Sequence, residues 1–190
     1  ILNNFADIID INFSCPSNKI LNSESGGFLL KDVEKIKKII DRVIKVSNVP
    51  VSIKIRSGFT KDDNSFEKIG EICEEFGVSY LTIHPRSVTD KFYGDVDINL
   101  TKNLKSRTKI PIIHSGEVKN HLDAKRVFKE TNCDGIMIGR KAIGKPWIFS
   151  EIKNYLLTGK LPLKVSLDKK IETIKEHLNI LVNLYGEQYA

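Results

Sequence analysis

The 190-residue sequence contains no long hydrophobic segment. No apolar run approaches the ~20 residues that a membrane-spanning helix requires. The opening residues 1–4 have neither the basic segment nor the apolar core of a signal peptide. We therefore expect a soluble, cytoplasmic protein. The chain also lacks an initial Met and reaches its first predicted strand almost at once, which suggests that part of a longer protein precedes it.

Cysteine is scarce, and its spacing excludes two common uses. Cys15, Cys73 and Cys133 are odd in number and widely separated, so they form neither a paired disulfide framework nor a CxxC metal knuckle. The HExxH, P-loop, GxSxG and EF-hand patterns are also missing, and the four histidines lack metal-ligand spacing. We predict no metal site and a reducing compartment.

Arginine is scarce as well, because only six of the 30 basic residues behind the formal net charge of +6 are arginines. This charge favours nucleic acid only weakly, since solvated lysines on helix faces produce the same total. Three of the six, Arg56, Arg86 and Arg140, stand at or just past the ends of apolar runs that are typical of strands.

What the chain does contain is the composition of a globular protein, with 41% apolar and 28% charged residues. Five short β-branched runs alternate with segments of helical periodicity. They lie at residues 7–13, 50–55, 80–83, 110–113 and 135–138. Asp32 is placed to cap the first long helix, and Gly77 follows the next. The β-α-β-α order predicts a parallel sheet, either doubly wound or closed as a barrel.

Polar or unusual residues follow every predicted strand. The five segments are Ser14-Cys15-Pro16-Ser17, Arg56-Ser57-Gly58, His84-Pro85-Arg86, His114-Ser115-Gly116-Glu117 and Gly139-Arg140. A barrel builds its site from many strand ends, whereas a doubly wound sheet concentrates it at one switch point. We therefore predict an α/β fold of the (β/α)8 TIM-barrel type, represented here by its last five βα units.

The chain divides into three predicted regions. Residues 1–157 are predicted to form a partial barrel domain without its first three strands, and residues 158–165 a linker. Residues 166–190 are predicted to begin a C-terminal helical domain. Its apolar residues at helical spacing are Ile171, Ile174, Leu178, Leu181 and Leu184.

Cys15 follows the first strand and precedes a proline that bends the chain away. A lone cysteine is more often a small core residue, but the polar surroundings of Cys15 favour a functional thiol. No histidine is adjacent in sequence to form a Cys-His pair, so proton donation is the better interpretation. Cys73 and Cys133 are predicted to be structural.

Charged and small residues at the later strands indicate a ligand. Lys54 interrupts a strand predicted to be covered on both faces, so it requires either an ion pair inside the barrel or an electron-rich cofactor ring or phosphate. His84 and Arg86 project to the same side if their strand continues, which favours an anionic ligand. Gly116 and Gly139 follow the last two strands, where backbone N–H groups can bind a phosphate.

In this order and at this spacing, the segments resemble those of the tRNA-dihydrouridine synthases, flavin-dependent barrel enzymes with a helical RNA-binding domain after the barrel. The matching segments are Asp10-Ile11-Asn12 with Cys15-Pro16, Ser52-Ile53-Lys54-Ile55-Arg56, Leu81-Thr82-Ile83-His84-Pro85-Arg86 with Tyr93-Gly94, and Asp134-Gly135-Ile136-Met137-Ile138-Gly139-Arg140 with Pro146-Trp147-Ile148-Phe149. Two segments depart from the family pattern. Ser14 stands where the family usually has glycine before Cys-Pro, and Ser115-Gly116-Glu117 stands for Asn-Gly-Asp or Asn-Gly-Gly.

The resemblance implies reduction of a tRNA uracil to 5,6-dihydrouridine. Reduced FMN, itself reduced by NADPH or NADH, gives a hydride to carbon 6, and Cys15 protonates carbon 5. The residues implied to hold the cofactor are Lys54, His84, Ser115, Gly116, Glu117, Gly139 and Arg140. Those implied to face the target nucleotide are Asn12, Arg56 and Arg86. We expect tRNA as the partner and a monomeric protein, with the base extruded to reach the barrel mouth.

Two other interpretations stay open at this point. The segment from Asn12 to Ser17 is also similar to the Asn-x-Ser-Cys-Pro-Asn motif of the dihydroorotate dehydrogenases, although the later His-x-Arg and Gly-Arg-x-Ala segments argue against that family. The other is a catalytically incomplete RNA-binding fragment, against which the intact Cys15, Lys54 and His84 count.

Overall fold

The computed structural model describes residues 5–189. Residues 1–4, including the opening used above to argue against a signal peptide, and residue 190 of the predicted helical domain lie outside the described residues. The strands are β1 Ile9–Phe13, β2 Val51–Arg56, β3 Tyr80–His84, β4 Ile112–Ser115 and β5 Gly135–Met137. The α-helices are α1 Asn18–Asn22, α2 Val33–Val46, α3 Ser65–Glu75, α4 Ile98–Arg107, α5 His121–Thr131, α6 Ile148–Thr158 and α7 Leu167–Tyr185. Short 3-10 helices lie at Gly26–Lys31, Arg140–Ala142 and Glu187–Tyr189.

The five strands form one parallel sheet in the chain order β1-β2-β3-β4-β5. Each strand pairs with the next along the chain, which is the arrangement of a barrel wall and not of a doubly wound sheet. The predicted parallel α/β architecture is therefore confirmed. The register places Lys54 level with Asn12, and His84 level with Arg56, so that functional side chains from neighbouring strands are adjacent.

The strand ends differ from the prediction by one or two residues. β4 begins at Ile112 instead of residue 110, because Pro111 has no N–H to donate to a ladder. Arg56, His84 and Ser115 are the last residues of their strands, whereas the sequence placed them just outside. Their side chains are consequently fixed by sheet geometry and not by loops.

The helices follow their predicted signals. The Asp32 side chain accepts a hydrogen bond of 2.9 Å from the Lys35 amide and caps α2. α3 ends before Gly77, whose φ of +71° suits glycine. Cys73 is buried on α3, and burial raises the pKa of its thiol to about 12. Cys133 is also buried and donates to the Gly135 carbonyl, so both cysteines are structural, as predicted.

The chain ends in a helix that packs little against the rest. Ser166 caps α7 by accepting a hydrogen bond from the Lys169 amide, which confirms the predicted helix start. No residue of α7 within the described chain is buried, and side chains such as Ile174 and Leu184 are exposed. The division into barrel, linker and helical domain stays a prediction. None of the helices within residues 5–189 combines the length and hydrophobicity needed to cross a membrane.

Candidate active site at the carboxyl ends of the strands

A cleft of about 1070 Å³ lies at the carboxyl ends of the strands. Its lining includes all seven residues predicted to hold the cofactor, namely Lys54, His84, Ser115, Gly116, Glu117, Gly139 and Arg140. Arg86, predicted to face the substrate, lines it as well. Asn12, Cys15 and Arg56 do not line this cleft. Asn12 and Arg56 are linked to it through Ser14, which hydrogen-bonds with both and with Lys54. The volume is ample for a cofactor-sized molecule.

The polar side chains at the ends of β1 and β2 meet at Ser14. Lys54 Nζ donates to Ser14 Oγ at 2.8 Å, and the amide and hydroxyl of Ser14 both donate to Asn12 Oδ1 at 2.8 Å. Among the described residues no carboxylate lies within salt-bridge distance of Lys54, so the ion pair left open by the sequence is not formed. Burial, followed by the charge of Arg56, lowers the pKa of Lys54.

Arg56 is buried beneath this network, with only 1% of its surface exposed. Its Nε donates to the Ser14 carbonyl at 3.0 Å and its Nη1 to the Ser87 carbonyl at 2.8 Å. Burial, followed by the charge of Arg86, lowers the pKa of Arg56 to about 10, so the guanidinium remains charged at neutral pH. Arg56 thus fixes the residue that precedes Cys15, and contact with the target nucleotide stays a prediction.

Cys15 is a free, partly buried thiol whose backbone packs against the start of the 3-10 helix Gly26–Lys31. Its carbonyl accepts a hydrogen bond of 3.0 Å from the Gly27 amide. A side chain at Gly26 would place a Cβ only 3.0 Å from the Cys15 Cβ, so glycine is needed for this close approach.

His84 and Arg86 leave buried nitrogens without partners. β3 ends at His84, and the Arg86 amide turns back to donate to the His84 carbonyl at 2.8 Å, so the strand does not continue as the sequence suggested. Arg86 is 5% exposed, and its Nη2 donates to the Gly94 carbonyl and to Glu117 Oε1. Among the described residues, Arg86 Nε, Arg86 Nη1 and His84 Nδ1 have no hydrogen-bond partner. Unpaired buried groups of this kind indicate a missing ligand or ordered water.

At the end of β3, Arg86 supplies positive charge and His84 does not. Burial, followed by the charges of Arg56, Lys54 and Arg86, lowers the pKa of His84 to about 3. The imidazole is therefore neutral at physiological pH and can act only through hydrogen bonds. Of the two basic groups that favoured an anionic ligand, only Arg86 carries a positive charge.

The loop after β4 brings backbone against the His84 ring. A Cβ at Gly116 would lie 3.1 Å from His84 Cε1, and the φ of Gly116 is +139°, so both space and conformation require glycine. The Glu117 carboxylate is held by Lys119 at 2.6 Å, Arg86 at 3.0 Å and Arg140 at 3.6 Å. The hydrogen bond from Lys119 is the largest reason that the pKa of Glu117 is lowered to about 2.

Phe92 is a site residue that the sequence did not point to, and His114 was named only within the polar segment after the fourth predicted strand, without a role. Phe92 is 56% exposed, and its ring centroid lies 5.7 Å from the guanidinium carbons of both Arg56 and Arg140. The signal for it is a pair of aromatic residues in an otherwise polar loop. His114 is buried in β4, where a histidine in an apolar strand is the corresponding signal. Within residues 5–189 no three His, Cys, Asp or Glu side chains are grouped as a metal site.

A parallel sheet in chain order with a polar cleft at its carboxyl ends defines an α/β protein of the TIM-barrel class. The structure of morphinone reductase in complex with tetrahydroNAD is similar in fold, with a TM-score of 0.51 at 18% identity. That alignment covers 83% of this chain and 45% of the reductase. The family model described as dihydrouridine synthase (Dus) matches residues 2–190. The chain therefore belongs to the dihydrouridine synthase family, and both the resemblance and the barrel class are confirmed.

Curated relatives carry the corresponding names. The "Probable tRNA-dihydrouridine synthase" of Rickettsia bellii (strain RML369-C) is 35% identical over 182 residues, which cover 96% of this chain and 56% of that protein. The "tRNA-dihydrouridine synthase B" of Pasteurella multocida (strain Pm70) is 37% identical over 181 residues, covering 95% and 54% of the two chains. The chain thus spans about half the length of the curated relatives that it matches.

Proposed function

We propose that the protein reduces uridine in tRNA to 5,6-dihydrouridine with FMN as its cofactor. Membership of the dihydrouridine synthase family and the names of its relatives support tRNA as the substrate. The observation that carries the proposal is the cleft itself. It is lined by all seven expected cofactor residues and by two side chains that have buried nitrogens without partners.

The residues of the cleft fit FMN. Lys54 and His84 offer a cation and a neutral imidazole to an electron-rich ring system, and the unpartnered His84 Nδ1 has hydrogen-bonding capacity to spare. The backbone around Ser115, Gly116 and Gly139 would hold the phosphate, since glycines let backbone N–H groups approach an anion. When bound and reduced, FMN supplies a hydride. NADPH or NADH is the proposed source of that hydride.

Cys15 is the proposed acid. Its thiol proton would pass to carbon 5 of the uracil as the hydride reaches carbon 6, so that the ring gains two hydrogens across one double bond. Lys54 and Arg56 both bond to the preceding residue, Ser14, and would be the nearby positive charges once the proton has left. A proton from solvent then restores the thiol. Asn12, which accepts both hydrogen bonds from Ser14, and Arg86 are the proposed contacts to the nucleotide.

The rim of the cleft suits an RNA partner. Arg140, Lys119 and Lys141 line it with exposed or partly exposed positive charge, and Phe92 supplies an exposed aromatic face between two arginines. Such a combination binds phosphates and stacks extruded bases. We propose that the protein is a monomer and acts in the cytoplasm, where tRNA is available.

The test is a mass measurement on tRNA. Unmodified tRNA is incubated with the protein, FMN and either NADPH or NADH, and its nucleosides are then analysed by mass spectrometry. The proposal expects one or more uridines to gain the mass of two hydrogens, with Cys15→Ala as the slow control. Bound FMN that is reduced and reoxidised without any change in tRNA mass would contradict the proposed function, and favour a small-molecule flavoenzyme.

A further inference from the structure

His114 occupies a buried position between a helix and the loop after its own strand. Only 1% of its surface is exposed. Its Nδ1 lies 2.8 Å from the Thr101 hydroxyl of α4, and its Nε2 lies 3.0 Å from the Gly116 carbonyl. Thr101 is also fully buried. The ring therefore links α4 to the glycine that lies against His84.

The two hydrogen bonds define which nitrogen carries the proton. The Gly116 carbonyl can only accept, so Nε2 carries the hydrogen and donates it. A neutral imidazole then has an acceptor at Nδ1, which takes the Thr101 hydroxyl hydrogen. Burial lowers the pKa of His114, an effect opposed by the hydrogen bond to Gly116 and reinforced by Arg126, so the neutral form is favoured. Thr101 consequently selects the tautomer that Gly116 requires.

The bond to Gly116 orients the next amide. A trans peptide is planar, and its C=O and N–H bonds point in opposite directions within that plane. The peptide between Gly116 and Glu117 is trans. Because the carbonyl is turned onto His114, the Glu117 N–H is turned away from it. Within residues 5–189 no backbone carbonyl or side chain accepts a hydrogen bond from that N–H. Glu117 lines the cleft, so its N–H is an unused donor at a residue of the cleft wall.

The backbone needs this support. Gly116 has a φ of +139° and Glu117 a φ of +51°. Left-handed backbone in a residue with a side chain is strained and persists only when its surroundings hold it. A hydrogen bond from a buried, fixed imidazole provides that hold.

We propose that His114 is a positioning residue which, with Thr101, fixes the peptide between Gly116 and Glu117 so that the Glu117 N–H binds the phosphate of the cofactor. The inference rests on the proposed function, because it takes FMN as the ligand. It differs from a structural role in being specific to the phosphate and not to the flavin ring.

The experiment compares FMN with riboflavin, which has the same ring and no phosphate. Dissociation constants for both are measured by flavin fluorescence with four variants. His114→Leu removes the donor and Thr101→Val removes the hydroxyl. His114→Gln keeps an N–H near the Nε2 position, and Thr101→Ser keeps the hydroxyl. The first two are expected to weaken FMN about tenfold, the loss of one charge-assisted hydrogen bond, with riboflavin unchanged. The last two should retain most of the FMN affinity.

The alternatives are separable. An equal loss for FMN and riboflavin, or a phosphate preference that survives both disruptive variants, overturns the positioning role. If His114→Leu does not fold, Thr101→Val against Thr101→Ser carries the same comparison. A wild-type protein that binds FMN no better than riboflavin also overturns it. Phosphate-selective FMN binding that depends on His114, without any reduction of tRNA, would uphold this inference while the proposed function fails.

Discussion

The two sides of the cleft differ in how completely their polar groups are paired. On the β1–β2 side, formed by Asn12, Ser14, Lys54 and Arg56, every contact named above is closed within the chain. On the β3–β5 side, which runs from His84 and Arg86 to Arg140, buried nitrogens lack partners and the Glu117 amide is unused. The first side is joined by hydrogen bonds that meet at Ser14, whereas the second leaves buried nitrogens unpaired.

This difference suggests that one side positions the reactive group and the other binds the ligand. Ser14 is held by hydrogen bonds with Asn12, Lys54 and Arg56, so the β1–β2 side is suited to keeping the neighbouring Cys15 at a fixed position. Each unpaired buried donor costs about 1–3 kcal/mol, which a ligand that supplies the acceptor recovers as affinity. The β3–β5 side is therefore suited to binding. Variants on the two sides should therefore differ in whether they change turnover, stability or FMN affinity.

The largest expected effect is on the rigid side and concerns turnover. Cys15→Ala should slow dihydrouridine formation by about 10²- to 10⁴-fold, the usual contribution of an acid catalyst, while FMN affinity stays unchanged. Cys133→Ala, a cysteine buried away from the cleft, is the control and should leave turnover near wild type. Nucleoside mass spectrometry and flavin absorbance measure the two quantities. Normal turnover in Cys15→Ala, or a colourless protein, would contradict the division of roles.

The next effect is on stability. Arg56→Leu leaves the buried carbonyls of Ser14 and Ser87 without their donor, so the free energy of unfolding should fall by about 2–4 kcal/mol. Arg42→Leu, on the exposed face of α2, should change it by less than about 0.5 kcal/mol. Urea denaturation of both variants makes the comparison. Equal stability of the two would show that the Arg56 network is not part of the rigid framework.

Much of this site could be predicted because parallel strands end at a common edge. Lys54, His84 and Gly116 come from three different strands or their loops, yet each is placed by the same rule that sites lie after strand carboxyl ends. Asp32 as a helix cap and Gly77 as a helix end are equally local signals. The spacing of hydrophobic residues and the positions of turn and capping residues were enough to predict these features.

The pairing of the polar groups could not be predicted in the same way. Arg56 bonds to a carbonyl 42 residues away, a contact that depends on strand register and not on any local pattern. The neutrality of His84 depends on its burial and then on the cations around it, and the tautomer of His114 depends on a hydroxyl from α4. Each is a property of the assembled strand ends. The sequence indicated which residues meet there but not which of them satisfy one another.

Acid should lower the free energy of unfolding because His84, on the β3–β5 side, is buried in its neutral form. The pKa of His84 is lowered to about 3 from an ordinary 6.5, so between these values the unfolded chain binds a proton that the folded protein does not. The free energy of unfolding therefore falls as the pH drops from about 6.5 towards 3. His84→Gln should reduce this slope, whereas His177→Gln, on exposed α7, should leave it unchanged. Urea titrations across this pH range decide the matter, and identical slopes in wild type and His84→Gln would contradict a buried neutral imidazole.

The smallest effect tests the charge of Glu117. Its carboxylate neutralises Arg86, Lys119 and Arg140 beside the proposed phosphate position, so it competes electrostatically with an incoming anion. Glu117→Gln keeps the shape of the side chain and removes the charge. We expect FMN to bind about two- to fivefold more tightly at low salt, the scale of a partly exposed ion pair, with the gain shrinking as salt rises.

A matched control separates this from a general charge effect. Glu151→Gln also breaks an ion pair, with Lys145 at 2.7 Å, but Glu151 does not line the cleft and its loss should leave FMN affinity unchanged. Riboflavin should respond to neither variant, since it lacks the phosphate. Weaker FMN binding in Glu117→Gln would mean that the carboxylate orients the arginines for the ligand instead of competing with it. The β3–β5 side would then be organised before binding, as the β1–β2 side is, and the contrast between the two sides would be lost.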